Sequence, residues 1–175
     1  MSSIEATDLT KVRESIVRMR GSVERPPDAS IVIPVNAQGD LRTALKPLND
    51  LAQYTGKYAS EIILVINNFP AGNPPAEIEQ FQETGVRVVA AASARRPGEV
   101  VIISARALGV QAASANSTIH FDADCRIPDV NALLDWYVQS LNSGAQLAYS
   151  HVGYYDFRIL PRYAPKSLFT TWCAG

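Results

Sequence analysis

Two aspartates separated by one residue, Asp122 and Asp124, stand where an apolar strand-like run (118–121) gives way to a helix pattern led by Pro128. Side chains at i and i+2 of a strand share a face, so at its end both carboxylates can reach one hard cation. Such a cation takes oxygen ligands and keeps positions open for phosphate oxygens, which makes the pair a candidate site for a metal-bound diphosphate. The same pair also suits a plain loop, because aspartates accept from exposed backbone N–H groups at turns and helix starts. Position favours the metal reading: ligands of open α/β sheets bind at the carboxyl ends of strands.

Other loops follow strand ends in the same way: Val35-Asn36-Ala37, Asn67-Asn68 and Arg95-Arg96. Asn67-Asn68 reads as a turn former, or as amides that can donate to and accept from a nucleobase edge. Arg95 and Arg96 read as a solvated loop or as a phosphate clamp, since the guanidinium fork matches phosphate oxygens. Arg106 sits amid an apolar helix face (Ile103, Ala107, Leu108, Val110), and a buried charge must find a partner. The aspartate loop would serve, and so would a bound phosphate. His120 reads as a packed strand residue, and Cys125 as a small buried filler with nothing beside it that marks a nucleophile.

The elements that must position these residues alternate. A first helix is expected over residues 8–20, with Leu9, Val12, Ile16 and Met19 on one stripe, Gly21 as its stop and Arg25-Pro26-Pro27 as a linker. Strands are expected at 30–35, 61–66, 86–91, 118–121 and 145–150. Helices are expected at 41–54, where Pro47 costs little only near the first turn, and at 75–83, 99–115 and 130–143. The 99–115 segment opens with the strand-like Val100-Val101-Ile102-Ile103, but its length and Glu99 favour a helix. Continuous apolar strands alternating with helices predict an α/β fold, a mostly parallel sheet with helices on both faces.

A chain of 175 residues that is 47% hydrophobic can bury one substantial core. Its net charge of −1 gives no broad basic surface for nucleic acid. Two cysteines without ligand spacing fit a reducing compartment. No apolar run approaches the roughly 20 residues that span a bilayer, and the polar N-terminus has no signal-peptide core. The expected location is cytoplasmic.

With these motifs in place, the chain resembles the nucleotide-binding half of family 2 glycosyltransferases, which have the GT-A (Rossmann-like) nucleotide-diphospho-sugar transferase fold. Ser30-Ile31-Val32-Ile33-Pro34-Val35-Asn36 is similar to the family's opening strand, S-I-V-I-P-V-Y-N, without its tyrosine. Glu61-Ile62-Ile63-Leu64-Val65 is similar to its second strand, and Ala105-Arg106-Ala107-Leu108-Gly109 to its A-R-N-x-G, in register with the D-x-D at Asp122-Ala123-Asp124. The resemblance implies a nucleotide-diphosphate sugar held by Pro34, Val35, Asn36, Asn67, Arg95, Arg106, Asp122 and Ala123. It further implies Mg²⁺ or Mn²⁺ on Asp124 and Asp122, and sugar transfer to an acceptor hydroxyl.

Two features depart from the family. Asn67 stands where an aspartate usually reads the base, and no general base can be placed in residues 157–175. The expected organisation is an N-terminal helix and linker (1–27), a nucleotide-sugar-binding domain (28–153) and an irregular tail (154–175), C-terminally short. One rival reading is a catalytically incomplete nucleotide-sugar-binding or oligomerisation domain, such as a homodimer. Another is a nucleotidyltransferase, which ranks last because no Gly-rich phosphate loop follows the first strand.

Overall fold

The computed structural model describes residues 12–14, 16, 26–92 and 101–148. Its centre is a four-stranded sheet in the order β3-β2-β1-β4, parallel throughout: β1 (Ala29–Asn36), β2 (Ser60–Asn67), β3 (Arg87–Ala91) and β4 (Thr118–His120). The intervening helices are α1 (Leu45–Leu51), α2 (Glu77–Glu83), α3 (Val101–Ala112) and α4 (Val130–Asn142). This is the α/β fold that the alternation predicts.

β1 and β2 are buried on both faces, as continuous apolar runs require. Their alternate side chains feed two cores. Ile31, Ile33, Val35, Ile62, Leu64 and Ile66 pack with Leu48 and Leu51 of α1, Phe81 of α2, and Leu134 and Val138 of α4. Val32, Ile63 and Val65 face the other way, toward Ala105, Leu108 and Ala112 of α3. Each large apolar side chain buried here contributes roughly 1.5–3 kcal/mol.

The split follows from handedness. Right-handed crossovers from β1 to β2 to β3 put α1 and α2 on one face. The step from β3 back past β1 to β4 reverses direction and puts α3 on the other.

Local chemistry sets the element ends. Pro47 is the third residue of α1, where its missing N–H costs nothing because the first turn has no intrahelical acceptor. The helix is accordingly shorter than expected, and residues 37–44 form turns instead. Gly85 and Gly144 follow α2 and α4 at φ +86° and +95°, a left-handed conformation that glycine adopts without Cβ strain. The strand-like opening of α3 is helical from Val101.

The fifth strand does not form over residues 145–148, which carry no strand pairing; Tyr149 and Ser150 lie outside the described residues. Ala145, Gln146 and Leu147 are exposed, and Ala and Gln have little β preference to offset that exposure. Of the first helix, residues 12–14 and 16 are helical with Val12 and Ile16 buried, while Leu9, Met19 and the tail 154–175 lie outside the described residues.

Candidate functional site

Strand order creates a crevice. β1 neighbours β2 on one side and β4 on the other, so the connections leaving β1 and β4 diverge at their carboxyl ends. β4 is also short. Its pairing with β1 runs from Ser30↔Thr118 to Val32↔His120 and ends with Phe121 N–H donating to the Val32 carbonyl at 3.1 Å. β1 continues to Asn36, leaving about 13 Å of its edge beyond the last β4 pair.

Pro34 supplies the reason. In a parallel ladder, alternate residues point their backbone groups to the same neighbour. Ser30 N–H donates to Ser117, on the β4 side, and Val32 accepts from Phe121 on that side. Pro34 is next in that register and has no N–H to give, so the ladder ends and the chain turns out at Asp122. Pro34 and Val35 are buried, so toward a ligand they can offer only backbone.

Asp122 and Arg106 meet as expected: Arg106 Nη2 donates to Asp122 Oδ1 at 2.5 Å. The arginine side chain is 9% exposed and the aspartate 47%, so the pair joins α3's buried side to the crevice rim. The helix face around Arg106 differs from expectation. Ile103, Ala107 and Val110 are exposed, while Ala105, Arg106 and Gly109 are buried. Small residues let α3 approach the sheet closely: a Cβ on Gly109 would lie 2.3 Å from Val32 Cγ1 and 3.2 Å from Val65 Cγ2. That approach brings the Arg106 backbone to the sheet while its side chain reaches the rim.

The loop after Asp122 is held at several points. Cys125 N–H donates to the Asp122 carbonyl at 3.2 Å, closing a turn around buried Ala123, while Asp124 is exposed. Asp50 of α1, which is buried, accepts from Arg126 Nε at 3.0 Å, Arg126 Nη2 at 3.1 Å and Ile127 N–H at 2.8 Å. Asp129 caps α4 by accepting from Ala132 N–H at 3.0 Å. The site loop is therefore fixed to α1 by a buried carboxylate that the sequence reading did not single out.

Two neighbours are chemically quiet. Burial, then the charges of Asp122, Asp124 and Asp50, push the Cys125 thiol up to about 12, so it stays protonated and is no nucleophile. Burial, then the Arg106 charge, lowers His120 to about 4. Its Nε2 lies 3.2 Å from Thr118 Oγ1, and its buried Nδ1 has no hydrogen-bond partner.

Across the crevice, Ala37 N–H donates to the Asn67 carbonyl at 2.9 Å, joining the ends of β1 and β2. Asn67 is buried. Asn68, at φ +63°, is the residue that reaches across, its Nδ2 donating to Asn36 Oδ1 at 2.9 Å. Asn36 Oδ1 also accepts from Gln38 N–H at 3.0 Å. The sequence reading named Asn67; the left-handed position puts Asn68 at the rim. The structure thus joins Arg106 to Asp122, with Ala123 and Asp124 on the same loop, and joins Asn36 to Asn68 and Ala37 to Asn67 at the ends of β1 and β2; Arg95 lies outside the described residues.

A divalent cation would have few protein ligands. Among the described residues no group of three or more His, Cys, Asp or Glu side chains could hold a metal ion. Asp122 and Asp124 are hard oxygen donors of the right chemistry, and phosphate and water oxygens would have to complete the shell.

No protein-family model matches the chain, and no curated protein sequence matches it. Solved structures are similar in fold. A mannosyltransferase from Pyrobaculum calidifontis, in complex with GDP-Man and Mn²⁺, matches with a TM-score of 0.53 at 15% identity, over 85% of this chain and 45% of its own. S. aureus TarS, in complex with UDP, matches with a TM-score of 0.51 at 15% identity, over 76% of this chain and 38% of its own. The chain thus shares the fold of these two structures and spans less than half the length of either.

Proposed function

We propose that the chain is the donor-binding part of a family 2-type glycosyltransferase and holds a nucleotide-diphosphate sugar in the crevice between β1 and β4. The observation that carries this reading is the seating of Asp122 at the strand-order reversal, clamped by Arg106, on a loop pinned by Asp50. The likeness to structures that hold GDP-Man with Mn²⁺ and UDP supports it. Residues 28–153 form the binding unit in this reading.

Each residue has a role that its surroundings suit. Asn36, Asn67 and Asn68 lie at the ends of β1 and β2, where amides can face base and ribose. Pro34 and Val35 line the floor with backbone. Arg106 fixes the orientation of Asp122, and Ala123 leaves room between the carboxylates. Arg95 takes the phosphates. A divalent cation on Asp124 and Asp122 would neutralise the charge that develops on the nucleoside diphosphate as it leaves. The accepting hydroxyl and the base that activates it are not assigned to residues of this chain.

A second reading is a nucleotide-sugar-binding or oligomerisation domain without transfer, which the exposed apolar side chains of α3 favour. Ile102, Ile103 and Val110 are exposed on α3 and would suit a second copy of the chain. Incubation with GDP-mannose or UDP-glucose and Mn²⁺, with chromatography of released nucleoside diphosphate, separates the readings. Release supports the transferase; tight binding without release supports the second reading; neither binding nor release contradicts both.

A further inference from the structure

On the sheet face that carries α3, three polar side chains stand at the amino ends of neighbouring strands: Ser30 of β1, Glu61 of β2 and Arg87 of β3. Ser30 and Glu61 are register partners, and both are buried. A buried carboxylate must be hydrogen-bonded, and the bonds of Glu61 lead to the end of α3. Its Oε1 accepts from Ser114 N–H at 2.5 Å and from Ser30 Oγ at 2.6 Å, and its Oε2 from Ser114 Oγ at 3.3 Å. Ser30 Oγ in turn accepts from Ala115 N–H at 3.0 Å. Arg87 Nη1 lies 3.9 Å from Glu61 Oε2 and donates to the carbonyl of Ala112, the last residue of α3. One carbonyl at the helix end and two N–H groups just past it are therefore held by this cluster.

Arg106 stands about 9 Å back along the helix axis from Ala112. Between the two, α3 meets the sheet through Gly109 and the small side chains of Ala105 and Ala112. Apolar contact is non-directional, so it sets the separation of helix and sheet more firmly than the register of one along the other. Hydrogen bonds are directional and weaken steeply when bent or stretched. The Arg106–Asp122 bond at 2.5 Å needs that register, and the Glu61 cluster supplies it from the opposite end of the helix.

We propose that Glu61 is a positioning residue for the donor site: by anchoring the C-terminal end of α3 it sets where Arg106 meets Asp122. Its effect on the donor rests on the donor-binding reading; its effect on Arg106 does not.

The test compares ¹⁵N-labelled wild type, Glu61→Ala and Glu61→Gln, with the amide spectrum verifying the fold. Arg106 Nε–H is followed by NMR, and affinity for GDP-mannose or UDP-glucose with Mn²⁺ by calorimetry. Glu61→Ala should move the Arg106 resonance and weaken donor binding about three- to thirtyfold. Glu61→Gln should restore both toward wild type, because its amide oxygen still accepts from Ser30 and Ser114 and its amide N–H can donate to Ser114 Oγ. If Glu61→Ala does not fold, Ser30→Ala takes its place: it cuts the link to Ala115, leaves Glu61 bonded to Ser114, and should move the same resonance less.

A residue that only stabilises the fold would lower the urea midpoint and leave both readouts where they are. An unmoved Arg106 resonance in the folded variant would therefore overturn the proposal. So would a moved resonance with unchanged donor affinity, or a glutamine variant no better than the alanine one. Should wild type bind neither nucleotide sugar, the donor-binding reading fails, and the Arg106 resonance alone decides whether Glu61 positions that arginine.

Discussion

The two aspartates of the motif have different jobs, and stability measurements should separate them. Asp122 compensates an arginine that is 9% exposed; removing it leaves that charge at a buried position. With the half-exposed carboxylate screened by water, Asp122→Ala should cost about 1–3 kcal/mol in urea unfolding. Asp124 is exposed and water screens its carboxylate, so Asp124→Ala should cost about 1 kcal/mol or less. Equal losses would contradict the division. His120 adds a pH dependence. With its value lowered to about 4 from 6.5, the folded chain resists protonation where the unfolded chain accepts it. Stability in metal-free buffer should be full above pH 6.5, fall between 6.5 and 4 and level off below, by up to about 3 kcal/mol. His120→Gln should flatten that slope; an unchanged slope would assign it to other groups. The Arg106–Asp122 pair was legible in the sequence because a buried arginine must have a partner. Asp50 was not: within the Leu45–Leu51 pattern it looks like a solvent residue, and its partner Arg126 is 76 positions away.

At the scale of elements, two backbone facts decide where the site opens. Pro34 ends the β4 ladder, and Gly109 lets α3 lie against β1. Gly109→Ala should destabilise by roughly 1–3 kcal/mol, since Val32 and Val65 are fully buried and have little room to yield. An unchanged urea midpoint would show that the helix can withdraw freely. Asp50→Ala should release the loop at Ile127 and weaken donor binding without touching the donor, a loss that calorimetry would read as lower affinity with unchanged stoichiometry. The strands and helices were legible because continuous apolar runs and helical periods alternate along the chain. Length identified α3 as a helix despite its β-branched opening. The buried face of α3 was misread because apolar periodicity pointed to Ile103 and Val110, whereas close packing selected the small residues Ala105 and Gly109. The strand expected at 145–150 does not form over 145–148, because a short apolar run cannot show whether its side chains will be buried, and Ala145, Gln146 and Leu147 are exposed.

At the scale of the whole molecule, a parallel sheet with α3 on one face and the other helices opposite leaves the carboxyl edge as the natural place for a ligand. A ligand that binds only the folded chain must stabilise it. GDP-mannose or UDP-glucose with Mn²⁺ at about a hundredfold excess over Kd should add about 2.7 kcal/mol, read as a raised unfolding midpoint. The most direct test of the central claim is calorimetric titration of wild type and Asp124→Ala with each nucleotide sugar in Mn²⁺. The account predicts binding by wild type that is lost in the variant, with both chains equally folded. Equal affinity in the two would contradict a donor diphosphate held at Asp124.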